Sequence, residues 1–142
     1  MKPVSELFKN RPNTLWSLGP DDSVFEAIKI LAEKGVGALM VMDKGKLVGI
    51  LSERDYARGV ALRGRSSRDM EIGELMAAPV VVTPEDALQT CMERMTERRV
   101  RHLPVLENGV LIGIVTIGDL VKATMDEQAL LIHELEGYIR GS

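Results

Sequence analysis

Residues 49–59 read GILSERDYARG, and residues 113–123 read GIVTIGDLVKA. In each, an apolar run ends in a hydroxyl, and an aspartate follows three positions later. In the first copy Leu47-Val48-Gly49-Ile50-Leu51 stops at Ser52, and Glu53, Arg54, Asp55 and Arg58 crowd into the next turns. A surface helix could begin that way, and so could a site for a phosphorylated ligand. The echo decides the fold, because repeats are sought before local detail.

PDDSVFEAIKILAEKGVGALMVMDKGKLVGILSERDYARG (20–59) aligns without a gap with PEDALQTCMERMTERRVRHLPVLENGVLIGIVTIGDLVKA (84–123). Asp22 matches Asp86, Val36 matches Val100, Leu39 matches Leu103, Gly45 matches Gly109, Ile50 matches Ile114 and Asp55 matches Asp119. Each copy predicts a short strand, Leu15–Leu18 or Val80–Val82, and then a helix opened by proline and acids. Thr83 suits the N-cap of the second such helix, Pro84 its first turn, and Glu85 and Asp86 the positive end of its dipole. Val24, Ala27, Ile28 and Leu31 fall on one helical face, as do Leu88, Cys91, Met92 and Met95. Two strands follow in each copy. Asn108-Gly109 is a strong hairpin signal between the second pair, and Lys44-Gly45 a weaker one between the first. A last helix begins near Glu53 and near Ile117. The tail carries Leu131, Leu135, Tyr138 and Ile139 at helical spacing, so its apolar side should pack on the repeats or on another subunit.

The expected fold class is therefore α/β of the α+β type, with tandem strand–helix–strand–strand–helix units packed about a pseudo-twofold axis. The first unit, with the N-terminal segment and linker, spans 1–69, and the second, with the C-terminal helix, spans 70–142. A unit of about 60 residues buries little apolar surface alone, so the two should fold as a pair.

The totals exclude several classes. A net charge of −3 gives no footprint of a nucleic-acid partner. A single cysteine excludes an internal disulfide and any multi-cysteine metal site, and it suits a reducing compartment. With only two histidines besides, no catalytic metal is expected. The opening MKPVSELFKNRPNTLW lacks a signal peptide's apolar run, and no run approaches the roughly 18 residues of a membrane span. A cytoplasmic protein that neither enters a membrane nor binds nucleic acid is expected.

A tandem of this pattern, with Gly-Ile-Leu-Ser-x-x-Asp in one copy and Gly-Ile-Val-Thr-x-x-Asp in the other, resembles a CBS-domain pair, or Bateman module. RHLPVLENGVLIGIVTIGDLVKA and GALMVMDKGKLVGILSERDYARG carry the resemblance, which covers nearly the whole chain. SERDYARGVALRGRSS further resembles a subgroup of small, stand-alone CBS-domain proteins. The resemblance implies a non-catalytic regulatory or signal-transduction module. Such modules bind adenosyl ligands (AMP, ADP, ATP, NAD or S-adenosylmethionine) in clefts between the repeats and modulate a partner protein. It also implies a homodimer of pairs.

The residues themselves bear two readings. Ser52 with Asp55, and Thr116 with Asp119, have the spacing of a capping box. Equally, a helix N-terminus with a hydroxyl suits phosphate, and an aspartate can accept from both ribose hydroxyls. Gly49 and Gly113 allow close approach of a ligand or backbone. The resemblance assigns Ser52 or Thr116 to phosphate and Asp55 or Asp119 to ribose. It places Arg101 and His102 with Thr116 and Asp119, and Val36 and Gly37 in the adenine pocket of that site. The other site would combine Ser52, Asp55, Arg54 and Thr83, with Val100 and Ile114 near the base. Arg54 could instead pair with Glu26, Glu53 or solvent. In the linker LRGRSSRD (62–69), Arg65, Ser66 and Ser67 would suit a di- or triphosphate or the second half of NAD, or be a solvated connection. Two other functions compete: a small NAD- or ATP-using enzyme, for which no base or nucleophile stands out, and a constitutive interaction scaffold.

Overall fold

The computed structural model describes residues 2–9 and 15–141. After a 3-10 turn at Val4–Phe8 come β1 (Ser17–Leu18), α1 (Val24–Lys34), β2 (Ala38–Asp43) and β3 (Lys46–Ser52). Next is α2 (Glu53–Tyr56), which runs on as a π-helical stretch, Ala57–Ala61. A short α3 (Ile72–Leu75) precedes α4 (Leu88–Arg98), β4 (His102–Glu107), β5 (Val110–Thr116) and a long α5 (Ile117–Gly141). This is the mixed α+β tandem read from the repeat.

Both antiparallel hairpins form as expected, in equivalent registers: Met40 lies opposite Ile50 and Pro104 opposite Ile114. Their turns take positive φ at both central residues, Lys44 (50°) with Gly45 (78°) and Asn108 (52°) with Gly109 (79°). That is the primed geometry that matches strand twist. Lysine accepts it in the first hairpin, so the weaker signal gave the same turn.

The strand that opens each repeat is shorter than expected. β1 covers only Ser17–Leu18, parallel to Met40–Val41. Val80–Val82 is not a strand: a single parallel bridge joins Val82 to Val105. Pro104 supplies the reason. At the aligned place Met40 N–H donates to Trp16 C=O at 3.1 Å, and a proline has no N–H with which to repeat that bond.

The helices after Pro20 and Pro84 also begin later than expected, at Val24 and Leu88. Asp22 accepts from Gly19 N–H at 2.7 Å and Asp86 from Thr83 N–H at 2.8 Å. Each acid closes a turn ahead of the helix instead of joining its first turn. Thr83 is thus no N-cap. Ser23 caps α1, accepting from Glu26 N–H at 3.1 Å, while Ala87 stands at the matching place before α4 with no side chain to do so.

The opening segments are exchanged. Val4 N–H donates to Asp86 C=O, Ser5 N–H to Pro84 C=O, and Leu88 N–H to Lys2 C=O. Reciprocally, Ile72 N–H donates to Asp22 C=O, Gly73 N–H to Pro20 C=O, and Val24 N–H to Met70 C=O. Val4 is buried in the second repeat's core with Leu88, Cys91 and Leu103. Met70 and Ile72 are buried in the first repeat's core with Val24, Leu39 and Leu51. Val4-Ser5-Glu6-Leu7 and Ile72-Gly73-Glu74-Leu75 are the two copies of this strap. A third apolar layer joins the repeats through Ala38, Met40 and Ile50, packed with Leu47, Leu111 and Ile114.

The tail extends α5 as one helix, but it does not pack on the repeats. Leu131, Leu135, Tyr138 and Ile139 are 55%, 53%, 79% and 76% exposed.

Candidate functional site

No polar or charged side chain is buried in the core among the described residues, so any chemistry sits in surface clefts. Two of these lie where the repeats meet, and each is built from both.

The first, about 140 Å³, opens over the start of α2. β3 delivers Ile50 and Ser52 to it, two residues apart and therefore on one face of the strand. α2 adds Glu53, Arg54 and Asp55, and the π-helical stretch adds Arg58. The second repeat closes it with Val80, Arg99, Val100, Arg101 and His102. The second cleft, about 230 Å³, is lined by Ile114 and Thr116 of β5, with Leu15, Trp16, Val36, Gly37, Met40 and His102 across from them.

Ser52 and Asp55 form the reciprocal capping box. Ser52 N–H and Oγ donate to Asp55 Oδ2 at 3.0 and 2.9 Å, and Asp55 N–H donates to Ser52 Oγ at 3.2 Å. Thr116 and Asp119 repeat the two backbone bonds, at 2.8 and 3.1 Å. The bland reading of the motif is therefore present in both copies. At the first cleft it also fixes the carboxylate: its bonds go to Oδ2, and Oδ1 takes none from the described residues. The N-terminus of α2 is less open than the motif suggested. Glu53 N–H already donates to Gly37 C=O at 3.1 Å, and Asp55 N–H to Ser52.

The expected groupings are partly rearranged. Ser52, Arg54, Asp55 and Val100 meet in the first cleft, and Val36, Gly37, His102 and Thr116 meet in the second. Arg101 lines the first cleft, not the Thr116 cleft. Its carbonyl accepts from Ile117 N–H at 3.0 Å, while the residue lines a cleft shared with Ser52 to Asp55 of the other repeat. Ile114 belongs with Thr116, and Ile50 with Ser52, because residues two apart share a strand face. His102 and Gly37 line both clefts. They are stacked so closely that a Cβ on Gly37 would lie 3.1 Å from His102 Nε2.

Thr83 and Asp119 line neither cleft. Thr83 is held in the turn closed by Asp86, and Asp119 lines a hollow between the N-terminal strap and α5. Arg65, Ser66 and Ser67 also lie outside both clefts. Arg65 is engaged by Glu74 at 3.0 Å and by Asp69 C=O at 2.9 Å, and Ser66 Oγ accepts from Arg68 N–H. Gly49 admits the Met76 side chain rather than a ligand: a Cβ there would sit 2.5 Å from Met76 Sδ.

Arg58 lines the first cleft although the sequence assigns it no site, and Arg99, in the basic run that the resemblance sets beside a cleft, lines it too. Arg58 was legible as the residue one helical turn beyond Arg54. Arg99 was legible beside Arg101, once the cross-repeat packing is known. Burial pushes the His102 pKa below the ordinary 6.5, and the Arg101 charge adds to this, while Glu53 and Asp119 oppose it. Burial raises the Cys91 thiol to about 11, so it behaves as a small core hydrophobe. Among the described residues no cluster of three or more His, Cys, Asp or Glu is placed to hold a metal ion, and no helix is long and apolar enough to cross a membrane.

The sequence model for the CBS domain matches residues 4–61 and 72–126. The chain is 36% identical to a mitochondrial CBS domain-containing protein of Arabidopsis thaliana, over 97% of this chain and 72% of that one. Among solved structures, a protein with CBS domains from Burkholderia ambifaria is similar with a TM-score of 0.84 and 45% identity, over 89% of this chain and 96% of that one. A CBS domain protein of Pyrobaculum aerophilum, solved in complex with AMP, is similar with a TM-score of 0.72 and 30% identity, over 82% and 88%.

Proposed function

This chain belongs to the CBS-domain family, and on that premise we propose that it is a non-catalytic sensor of adenosyl nucleotides, with the Ser52 cleft as its principal site. One observation carries the reading: the Ser52–Asp55 box lies in a cleft whose opposite wall, Val100 to His102, comes from the other repeat. A ligand there touches both halves of the molecule.

Each chemical part of an adenosyl nucleotide has a counterpart. Asp55 presents Oδ1 to the ribose hydroxyls. Ile50, Val80 and Val100 offer apolar surface to the base. Because the backbone N–H groups of Glu53 and Asp55 are taken and the Ser52 hydroxyl donates to Asp55, phosphate recognition rests on the arginines, whose planar forks suit phosphate. The cleft is smaller than the roughly 300 Å³ of a typical ligand pocket, so the base enters while the phosphates stay among the exposed arginines. The AMP held by the Pyrobaculum relative supports this ligand class; AMP, ADP, ATP and NAD all carry the required parts.

Nucleotide binding regulates a partner protein by favouring one relative placement of the repeats, which requires different affinity in the two placements. The working unit is a homodimer. Val121, Met125, Ile132, Leu135 and Ile139 stand four, seven, three and four residues apart, the spacing of a helix-pairing seam, and all are more than half exposed.

The test is an inventory by mass spectrometry of small molecules released from the purified protein, followed by calorimetry with AMP, ADP, ATP and NAD. Saturable binding of at least one is expected. No binding of any at millimolar concentration would contradict the proposal.

A further inference from the structure

The two clefts are aligned position by position, and the alignment exposes an imbalance. Arg54, Arg58, Arg99 and Arg101 all line the Ser52 cleft. Their counterparts in the other repeat are Gly118, Lys122, Gly35 and Gly37. Three of the four guanidinium groups thus face glycines across the pseudo-twofold relation, and Lys122 lines the strap hollow instead of the Thr116 cleft. Among the described residues, the Thr116 cleft has no arginine, lysine or carboxylate in its lining.

The four arginines are also uncommitted. None makes an ion pair among the described residues, and the hydrogen bond to a protein group is a long one, Arg54 Nη1 to Arg99 C=O at 3.5 Å. The acids in the same lining are Glu53 and Asp55, and Asp55 is tied to Ser52. Like charges gathered without partners repel, and that arrangement is relieved by an anion carrying several charges.

Arg99 adds an independent observation. It ends α4 with φ of 53°, a left-handed conformation. Gly35 occupies the same conformation at the end of α1, with φ of 63°. A side chain there is disfavoured, and glycine is the usual occupant. The second repeat keeps an arginine where the first has the residue that fits better.

We propose that Arg58, Arg99 and Arg101, together with Arg54, make the Ser52 cleft selective for ligands bearing a di- or triphosphate chain over monophosphates, a selectivity the Thr116 cleft lacks. This rests on reading the cleft as a nucleotide site. Arg99 contributes through its side chain alone, since its carbonyl bond to Arg54 survives replacement by glycine.

The experiment compares AMP, ADP, ATP and inorganic tripolyphosphate by calorimetry, without divalent cations and at fixed ionic strength, for the wild type, Arg58→Gln and Arg99→Gly. ATP should bind about tenfold or more tightly than AMP, from one or more charge-assisted bonds, with ADP between them. Both variants should weaken ATP by more than AMP and so bring the two affinities together. Arg99→Gly should melt no lower than wild type, which separates the phosphate role from a structural one. Equal affinity for AMP and ATP, or an unchanged ratio in both variants, overturns the proposal. Should no adenosyl nucleotide bind, the nucleotide reading fails by itself; tripolyphosphate binding that weakens in both variants would still uphold the arginine assignment, and its absence would overturn that too.

Discussion

At the residue scale, the Ser52–Asp55 pair does two things at once. It caps α2, and it holds a carboxylate at the cleft. Asp55→Ala should cost about 1 kcal/mol of stability, the ordinary worth of a cap, measured by urea unfolding, and it should remove nucleotide binding by far more than that loss accounts for. A purely structural pair would show the first effect without the second. His102 makes a separate prediction. Its folded pKa lies below the unfolded value of 6.5, so the unfolded chain binds the proton more readily. The stability its neutral form contributes is complete above 6.5 and is lost as pH falls through the lower, folded value. Unfolding free energy measured from pH 7.5 to 5 should therefore fall more steeply in the wild type than in His102→Gln. Parallel curves would show that the imidazole is not titrating against burial.

These residues differ in how readable they were. Ser52, Asp55, Thr116 and Asp119 stood out because the chain repeats them. Arg101 is legible as part of a basic run but not as a wall of the Ser52 cleft, because a linear alignment does not reveal that a loop in one repeat faces the cleft of the other. Ile114 could have been placed correctly from the strand period alone.

At the element scale, hairpins, helix faces and the order of strands and helices were legible, since each has a local cause: turn residues, apolar spacing and polar ends. The strap was not. Val4-Ser5-Glu6-Leu7 and Ile72-Gly73-Glu74-Leu75 match only when the register of the main repeat is shifted, and the bonds they make are to distant carbonyls. Their exchange yields a prediction. Ile72→Ala should loosen the first repeat, and Val4→Ala the second, although each residue precedes the other repeat in the chain. Hydrogen exchange should show the loss of protection in α1 and α4 respectively, with a stability loss of about 2 kcal/mol or more for Ile72→Ala. A loss confined to the sequence-adjacent repeat would refute the exchange. The π-helical stretch has a comparable pressure point at Gly59, where an added Cβ would collide with the Leu75 side chain. Gly59→Ala should destabilise by about 1–3 kcal/mol in thermal melts, the usual effect of overpacking.

At the scale of the whole molecule, the strap exchange and the shared apolar layer bind two small units into one, while α5 carries an apolar stripe that no described residue covers. If two copies pair through it, sedimentation should show a dimer in the wild type and a monomer in Leu135→Glu/Ile139→Glu, with unchanged melting of the paired repeats at low concentration. The larger asymmetry is between the clefts: one is arginine-lined and built on Ser52, the other apolar and built on Thr116, with His102 forming a wall of both. Any adenosyl ligand that bridges the repeats should therefore report first at the Ser52 cleft. The most direct measurement is an NMR titration with ATP, following backbone and arginine side-chain resonances. Saturable shifts concentrated at Ser52–Arg58 and Arg99–His102, abolished by Asp55→Ala, are expected. Shifts centred on Ile114–Thr116, or none at saturating nucleotide, would contradict it.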